Sequence, residues 1–533
     1  MREHIQDQWA PLSFIPGFDD VRQGELGNWI SAHDMRRITA YRVLASYREN
    51  TRRYFSDHLW EVAVDEDGTV ESPGQHLREY GRGQHLMTTA RSLLLGDEQV
   101  ITVPALQDAP DDPDLLDALA WWTGWAEKER LIQKLLEGEE HTIGDGDGVY
   151  VLGWSSLKQR PTLRVYDPGF YFPDLSDMDG WDSDEFPHTV HIAWEYEQDN
   201  VKWVRRTTWT IRPMEQAEAV PWGGVREWAC FMRTVDYRHD RLLPDVDVYS
   251  PELARQSDSE VVQDWTDTGL DFIPIVHVPN DPATQRHFGR ALILYAARVL
   301  DDLSGNDTDL IGVATTSASP FLAHDLPETS VPGGPGTALR GNAEWVDTSK
   351  NLVALRDMDR HLTEILNLVT RLPASLLGQV DPSDVPSGYA LQLGFHPARQ
   401  LLSEMRLVRA EKYPLILKFA YRIAQTGGIV PDGETPVAAI ELGASLPSDR
   451  AAVVDEVRSL LEAGAISINT AVAMLQSVGL PIADATAEVE QITREDFEAA
   501  VRMVEATGDV DAARERLGLQ PAPAPEMPNE TDL

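Results

Sequence analysis

The chain has 533 residues, with 46 Lys and Arg against 87 Asp and Glu and a formal net charge of −41. At roughly 100–200 residues per domain, this length predicts three or four folded units or one large multi-part subunit, and 42% hydrophobic with 25% charged residues is the balance of a globular chain, not a disordered one. The net charge excludes a broad basic surface for gripping DNA or anionic membranes.

The stretch Met1 to Phe18 carries Arg2, Glu3, Asp7 and Pro11 where a secretory leader needs an unbroken apolar run. No window approaches about 18 consecutive apolar residues. The expectation is a chain made and folded in the cytoplasm, with no membrane partner. Its one cysteine, Cys230, excludes an intrachain disulfide framework and reads as a small buried apolar residue between Ala229 and Phe231.

All 15 Trp lie between Trp9 and Trp345, which predicts bulky mixed packing first and mainly helix afterwards. Residues ~30–140 read as mostly helical. Ser31 is a plausible N-cap for a segment reaching about Phe55, locally basic through Arg36, Arg37, Arg42, Arg48, Arg52 and Arg53. A second helix over 113–139 holds Trp121, Trp122, Trp125, Leu131 and Leu135. Residues ~140–280 read as β, with runs such as Val149 to Leu152, Leu163 to Tyr166 and Val190 to Trp194 separated by Gly, Pro and Asp. Two helices with single apolar stripes follow. One carries Phe288, Leu292, Tyr295, Val299 and Leu303; the other carries Leu355, Met358, Leu362, Ile365, Val369 and Leu372. Between them, Gly305 to Lys350 is rich in Gly, Pro, Ser and Thr and fits only short strands or loops. A long helix from about Tyr389 to Gln425 contains Pro397 and Pro414, each expected to kink or break it. Short helices fill ~446–519, with Thr493 to Asp496 close to a capping box. The run Pro521 to Pro525 predicts a disordered tail.

Signatures of catalysis are absent from the sequence. There is no Gly-Lys dipeptide for a Walker-type loop, no Gly-x-Ser-x-Gly, no His-Glu-x-x-His and no Cys-x-x-Cys. Gly144-Asp145-Gly146-Asp147-Gly148 could open a calcium loop, but Val149 and Ser156 stand where oxygen ligands are required, so it reads as a tight turn into a strand. His188 and His191 fall on opposite faces of a strand and read as solvated or core residues. The expectation is no catalytic residue, no metal and no cofactor. The segment from Ala398 to Arg422 sets six basic residues against two acidic ones, which in this acidic chain suggests contact with another copy.

In series, these features resemble the portal proteins of tailed bacteriophages. Asp271 to Asn280 looks like the family's strand that closes the wing and leads into the first stem helix. Pro386-Ser387-Gly388-Tyr389-Ala390-Leu391 is similar to the element where the tunnel loop meets the long kinked helix. Gly148 to Leu152 with Tyr166-Asp167-Pro168 resembles a wing hairpin, and Leu460 to Ser467 with Thr470, then Glu488 to Ile492, look like the crown.

The resemblance implies an α+β portal fold. In it, 1–140 is the mainly helical part of the wing and 141–284 its β-rich part. Stem helices at 285–304 and 351–372 flank a clip at 305–350. The tunnel loop is 373–388, the long helix and return to the wing 389–445, the crown 446–519 and the tail 520–533. It implies a non-enzymatic ring of roughly twelve subunits at a capsid vertex of the virion, assembled in the host cytoplasm. Double-stranded DNA passes through it, and the terminase large subunit, the major capsid protein and a head-completion or adaptor protein are its partners. Gln379, Asp381, Ser383, Asp384, Ser387 and Gly388 become the DNA-facing loop, which has no Lys and suits sliding more than gripping. Arg36, Arg48, Arg399, Arg406, Arg409 and Lys412 become candidates for the subunit interface. The rival readings are a carbohydrate-active hydrolase using an Asp/Glu pair and Trp platforms, and another tail or baseplate component.

Overall fold

The structure is a computed structural model that describes residues 7–15, 18–19, 27–51, 78–176, 186–281, 287–318, 322–324, 343–345, 349–379, 393–443, 450–477 and 485–507. It is a mixed α+β fold whose contacts divide into two units, Met1–Ser445 and Leu446–Leu533.

Helix α1 (Ala32–Arg48) starts where the sequence places its cap, with Ser31 Oγ accepting from Asp34 N at 3.1 Å. It stops at Arg48, and the residues from Arg52 to Phe55 lie outside those described. Helix α2 spans Arg82–Leu95. Asp112 caps α3 (Pro113–Glu129). The single helix predicted over 113–139 is two, because Arg130 adopts φ +54° and the chain restarts as α4 (Leu131–Gly144). Tertiary bonds fix that break: buried Glu129 takes Lys134 Nζ at 2.8 Å and Arg160 Nε at 2.9 Å. The turn lets Trp122, Trp125, Leu131 and Leu135 share one core.

Strand β1 (Gln99–Thr102) pairs antiparallel with a late strand, β12 (Ala439–Leu442). The expected hairpin forms from β2 (Asp147–Ser155) and β3 (Arg160–Tyr166), and β9 (Ile275–Pro279) adds to the other edge of β2. The remaining strands make an antiparallel meander in chain order: β4 (Tyr171–Pro173), β5 (Thr189–Gln198), β6 (Val201–Ala219), β7 (Val225–Arg238) and β8 (Ser259–Asp267). Asp199 and Asn200, at φ +54° and +60°, form the two-residue turn from β5 to β6. Cys230 is buried in β7 as predicted, and burial pushes its thiol up to about 12.

The helix predicted over 285–304 is displaced. Helix α5 begins at Ala297 and runs to Ala318. Residues 287–296 are drawn out of helical register by outside partners: Gly289 N donates to Asp147 Oδ1 at 2.8 Å and Leu292 N to Ile143 O at 3.0 Å. A Cβ at Gly289 would lie 2.4 Å from Gly146 O, so the two segments touch backbone to backbone. The sequence places Gly305 onward in loops or short strands, but residues 305–318 continue α5, and the polar groups of Asn306 and Asp307 in its middle are engaged sideways. Asn306 Nδ2 donates to Leu355 O at 3.1 Å, and Asp307 binds Arg82. A two-stranded sheet, β10 (Leu322–His324) with β11 (Ala343–Trp345), leads to α6 (Ser349–Thr370).

The long helix α7 (His396–Thr426) survives both prolines. Pro397 sits in the first turn, where a missing N–H costs nothing. Pro414 is interior, but Tyr413, Ile416, Leu417 and Ala420 around it are buried, and Trp122 Nε1 bonds Leu417 O at 3.1 Å.

The second unit contains α8 (Arg450–Glu462), α9 (Ile468–Ser477) and α10 (Ala485–Thr507). Gly464, at φ +66°, follows the end of α8, and Ser467 Oγ caps α9 through Thr470 N at 3.2 Å. Thr493 does not start a helix. It lies within α10 and bonds back to Val489 O at 2.8 Å. The tail from Pro521 lies outside the described residues.

His191 on β5 is buried, with Nδ1 against Thr208 Oγ1 at 2.8 Å, and burial pushes its pKa down to about 3. It is neutral in the fold and protonated in the unfolded chain below about pH 6.5. Stability is therefore full above that pH and falls by ~1.4 kcal/mol per pH unit below it. The His191→Gln variant should flatten the acid slope of urea-unfolding free energy between about pH 6.5 and pH 4 by that amount.

Candidate channel and subunit-contact elements

Helices α5 and α6 are joined through β10 and β11, and ion pairs tie both to α2. Arg82 of α2 reaches Asp307 on α5 and Asp359 on α6, the latter at 3.2 Å. Tyr47 OH donates to Asp301 at 2.8 Å. Leu300, Leu303, Leu362 and Leu366 are buried.

The stripe predicted on α6 is only partly internal. Leu362 and Leu372 are buried, as are Leu366 and Thr370 beside them. Met358 and Val369 are exposed, together with Val353 and Leu368, the last at 78%. Leu407 of α7 is 75% exposed. The sequence pattern merges two faces: one packs within the chain, and the other carries uncovered apolar side chains.

After α6 the chain turns tightly. Leu376 N bonds Pro373 O and Gln379 N bonds Ala374 O, both at 2.9 Å, while Leu377 is buried and Gln379 is exposed. Asp381, Ser383, Asp384, Ser387 and Gly388 lie outside the described residues.

Most of the basic side chains nominated for subunit contact are engaged inside the chain. Arg36 binds Asp7 and Asp19, the latter at 2.6 Å, and lies over the Phe18 ring. Arg48 is buried against Asp145, with Nη1 also 3.1 Å from His141 Nδ1. Arg406 donates to Leu94 O at 2.9 Å and Gly443 O at 2.8 Å, and burial lowers its pKa. Arg409 is fully buried. It forms a bidentate pair with Glu139 of α4 at 3.0 and 2.8 Å and also bonds Asn280 Oδ1 at 2.9 Å. Lys412 bonds Glu411 at 2.6 Å and stands over the Phe186 ring. Arg399 is exposed. The basic face therefore serves mainly to neutralise this chain's own carboxylates. Arg409 cannot touch a second copy, because its guanidinium does not reach the surface.

Sequence reasoning missed the acidic half of these clusters. Tyr413 also donates to Glu139, and Asp147 accepts from Tyr41 OH at 2.5 Å and pairs with His277 Nε2 at 2.7 Å. Tyr171, His277 and His287 stack beside it, with the two imidazoles 4.5 Å apart. Burial, then the neighbouring His277, hold His287 well below its ordinary pKa. The only sequence signal was the Gly-Asp-Gly-Asp-Gly run, whose glycines admit close backbone while its aspartates turn inward.

Among the described residues no group of three or more His, Cys, Asp or Glu could hold a metal ion, and no helix is long and apolar enough to cross a membrane.

No family model matches the chain, and no curated protein matches it. Solved structures similar to it include the neck of a native gene transfer agent particle computed with C12 symmetry, at 12% identity and TM-score 0.37, and the neck of an empty particle computed with C6 symmetry, at 13% and 0.39. A chain of the native gene transfer agent virion is similar at 13% and 0.36. Each likeness covers 75% of this chain and 89% of the other.

The Arg409–Glu139 pair is a direct test of the internal reading. Removing one partner of a buried ion pair leaves a lone buried charge, which costs ~3–5 kcal/mol, whereas replacing both with apolar residues costs far less. Arg409→Met should lower unfolding stability by that amount in urea titrations, and adding Glu139→Leu should restore a large part of it.

Proposed function

We propose that this chain is the subunit of a portal-type ring, the channel at one vertex of a phage-like particle through which double-stranded DNA enters and leaves. The observation that carries the reading is the succession of elements after the wing sheets. Strand β9 leads to α5, the small β10–β11 sheet and α6; a tight turn over 373–379 and the 31-residue α7 follow. A second compact unit, with α8, α9 and α10 among its described residues, comes last. Helices α5 and α6 have 22 residues each, about 33 Å of helix, enough to form a channel wall.

Charge and exposure fit that role. Helix α5 exposes Asp302 and Asp309 beside Arg298, with Asp301 and Asp307 engaged by Tyr47 and Arg82, and α6 sets Lys350, Arg356 and Arg360 against Asp357, Asp359 and Glu364. A wall without a cationic excess binds phosphates weakly, because tight binding depends on cations that displace counterions. The loop after Gln379, with Asp381, Ser383, Asp384, Ser387 and Gly388, then acts as a collar past which the duplex slides. Uncovered Val353, Leu368 and Leu407 supply apolar contacts between neighbours, and Arg399 remains available there. In this reading the chain has no active site of its own. The terminase large subunit drives the DNA, the major capsid protein surrounds the ring, and a head-completion or adaptor protein docks on it in the virion.

Light scattering and negative-stain microscopy test assembly. A ring of about twelve copies of the 59.5 kDa chain has a mass on the order of 700 kDa; a monomer or dimer at micromolar concentration rules the ring out. Leu368→Asp with Leu407→Asp should lower the ring fraction without moving the melting transition of the subunit, since neither side chain is buried. Deleting Gln379 to Val385 should leave the ring mass unchanged and reduce DNA retained in a packaging assay. Normal retention by intact rings removes the collar from the account.

A further inference from the structure

Tyr171, His277 and His287 cluster where β9 passes the chain on toward α5. The two imidazoles stack 4.5 Å apart, centre to centre, and the Tyr171 ring stacks 5.2 Å from His277 and 5.8 Å from His287. Phe288 meets all three rings edge-on. Tyr171 OH lies 3.1 Å from His287 Nε2 and can donate to it only while that nitrogen carries no proton.

Charged groups face this cluster from four elements. From β2, Asp147 Oδ1 pairs with His277 Nε2 at 2.7 Å and accepts from Gly289 N, while its Oδ2 accepts from Tyr41 OH of α1. Also from α1, Arg37 stands 4.5 Å over the Phe288 ring and is paired with Asp34. Lys412 of α7, paired with Glu411, adds positive potential at His287. On the segment itself, Arg290 pairs with Asp281 at 2.8 Å. Among the described residues, Asp147 is the carboxylate bonded to these rings, and three donors already share it. A proton added to His287 therefore meets a second imidazole and two cations with no carboxylate of its own. Burial, then His277, Arg37 and Lys412, favour the neutral ring. The backbone beside it is held by Gly289 N on Asp147, Leu292 N on Ile143 O and Asn280 Nδ2 on Arg290 O.

We propose that His287 is an acid-sensitive latch on this joint, whose protonation frees residues 287–296 from β2 and β9 and so releases the start of α5. Every group involved belongs to one chain, so the latch does not depend on ring formation. It is shut above about pH 6.5, the ordinary value for histidine, because the closed joint holds the ring neutral. Below that pH the released ring takes up a proton that the closed one refuses, and the opening equilibrium rises about tenfold per pH unit.

Amide hydrogen exchange of the full-length protein tests it, corrected for the intrinsic rate and followed from about pH 7.5 to about pH 5. On a peptide covering 287–296, the parent should lose about tenfold in protection per pH unit below about pH 6.5, while a peptide from β6 keeps its protection. His287→Phe retains a ring for the stack without a titrating group, and its protection over 287–296 should not change with pH. His287→Gln is the second variant, polar and equally unable to titrate, with the same flat profile expected. Protection in the parent that does not change with pH, an equal acid loss in the folded variants, or a loss shared by the β6 peptide each overturns the proposal.

Discussion

The joint between β9 and α5 depends on buried carboxylates that each hold several partners. Asp147 fixes Tyr41 of α1, His277 of β9 and the Gly289 amide together. One strand-turn away, Asn280 N bonds Gly146 O, and its side chain and carbonyl receive Arg409. Glu139 holds the other side of that guanidinium. Four parts of the first unit (α1, α4, β9 and α7) thus meet at polar contacts that exclude water. In a low-dielectric interior, such contacts are strong when complete and damaging when one member is missing. They set where the chain leaves β9, and so where α5 can begin.

This arrangement changes the meaning of the charge pattern. An acidic chain with a basic helix invites an intermolecular account, and part of the surface does remain acidic. Yet Arg48, Arg406 and Arg409 meet carboxylates or carbonyls of their own chain. Helices α6 and α7 also carry uncovered apolar side chains, at Val353, Leu368 and Leu407. The proposed assembly therefore rests on exposed apolar area and not on salt bridges, which contribute little at a surface.

Close packing at the joint also explains two glycines. Tyr150 OH occupies the space where a Cβ on Gly138 would sit, 2.0 Å away, so α4 can lie directly on β2. Gly146, at φ +107°, lets the turn after α4 press against residues 289–291. The same turn places Asp145 against Arg48 and His141 and Asp147 toward the joint. One short segment therefore supplies both buried acids.

Local chemistry was legible in the sequence. The Ser31 cap, the hairpin of β2 and β3, the buried cysteine, the pair of long helices around a Gly- and Pro-rich segment and the mixed α+β class follow from caps, alternation and period, which act over a few residues. Three things were decided only by tertiary structure. Arg130 breaks a helix because Glu129 is anchored across the chain, α5 is shifted because the backbone of 287–296 bonds elsewhere, and Pro414 is tolerated because its surroundings are buried. The same holds for the side chains: periodicity places Arg409 on a face, but only its pairing with Glu139, 270 residues away, decides that the face is inside. Sequence spacing carries no information about which distant carboxylate neutralises a given cation, and that pairing separates a subunit contact from a core.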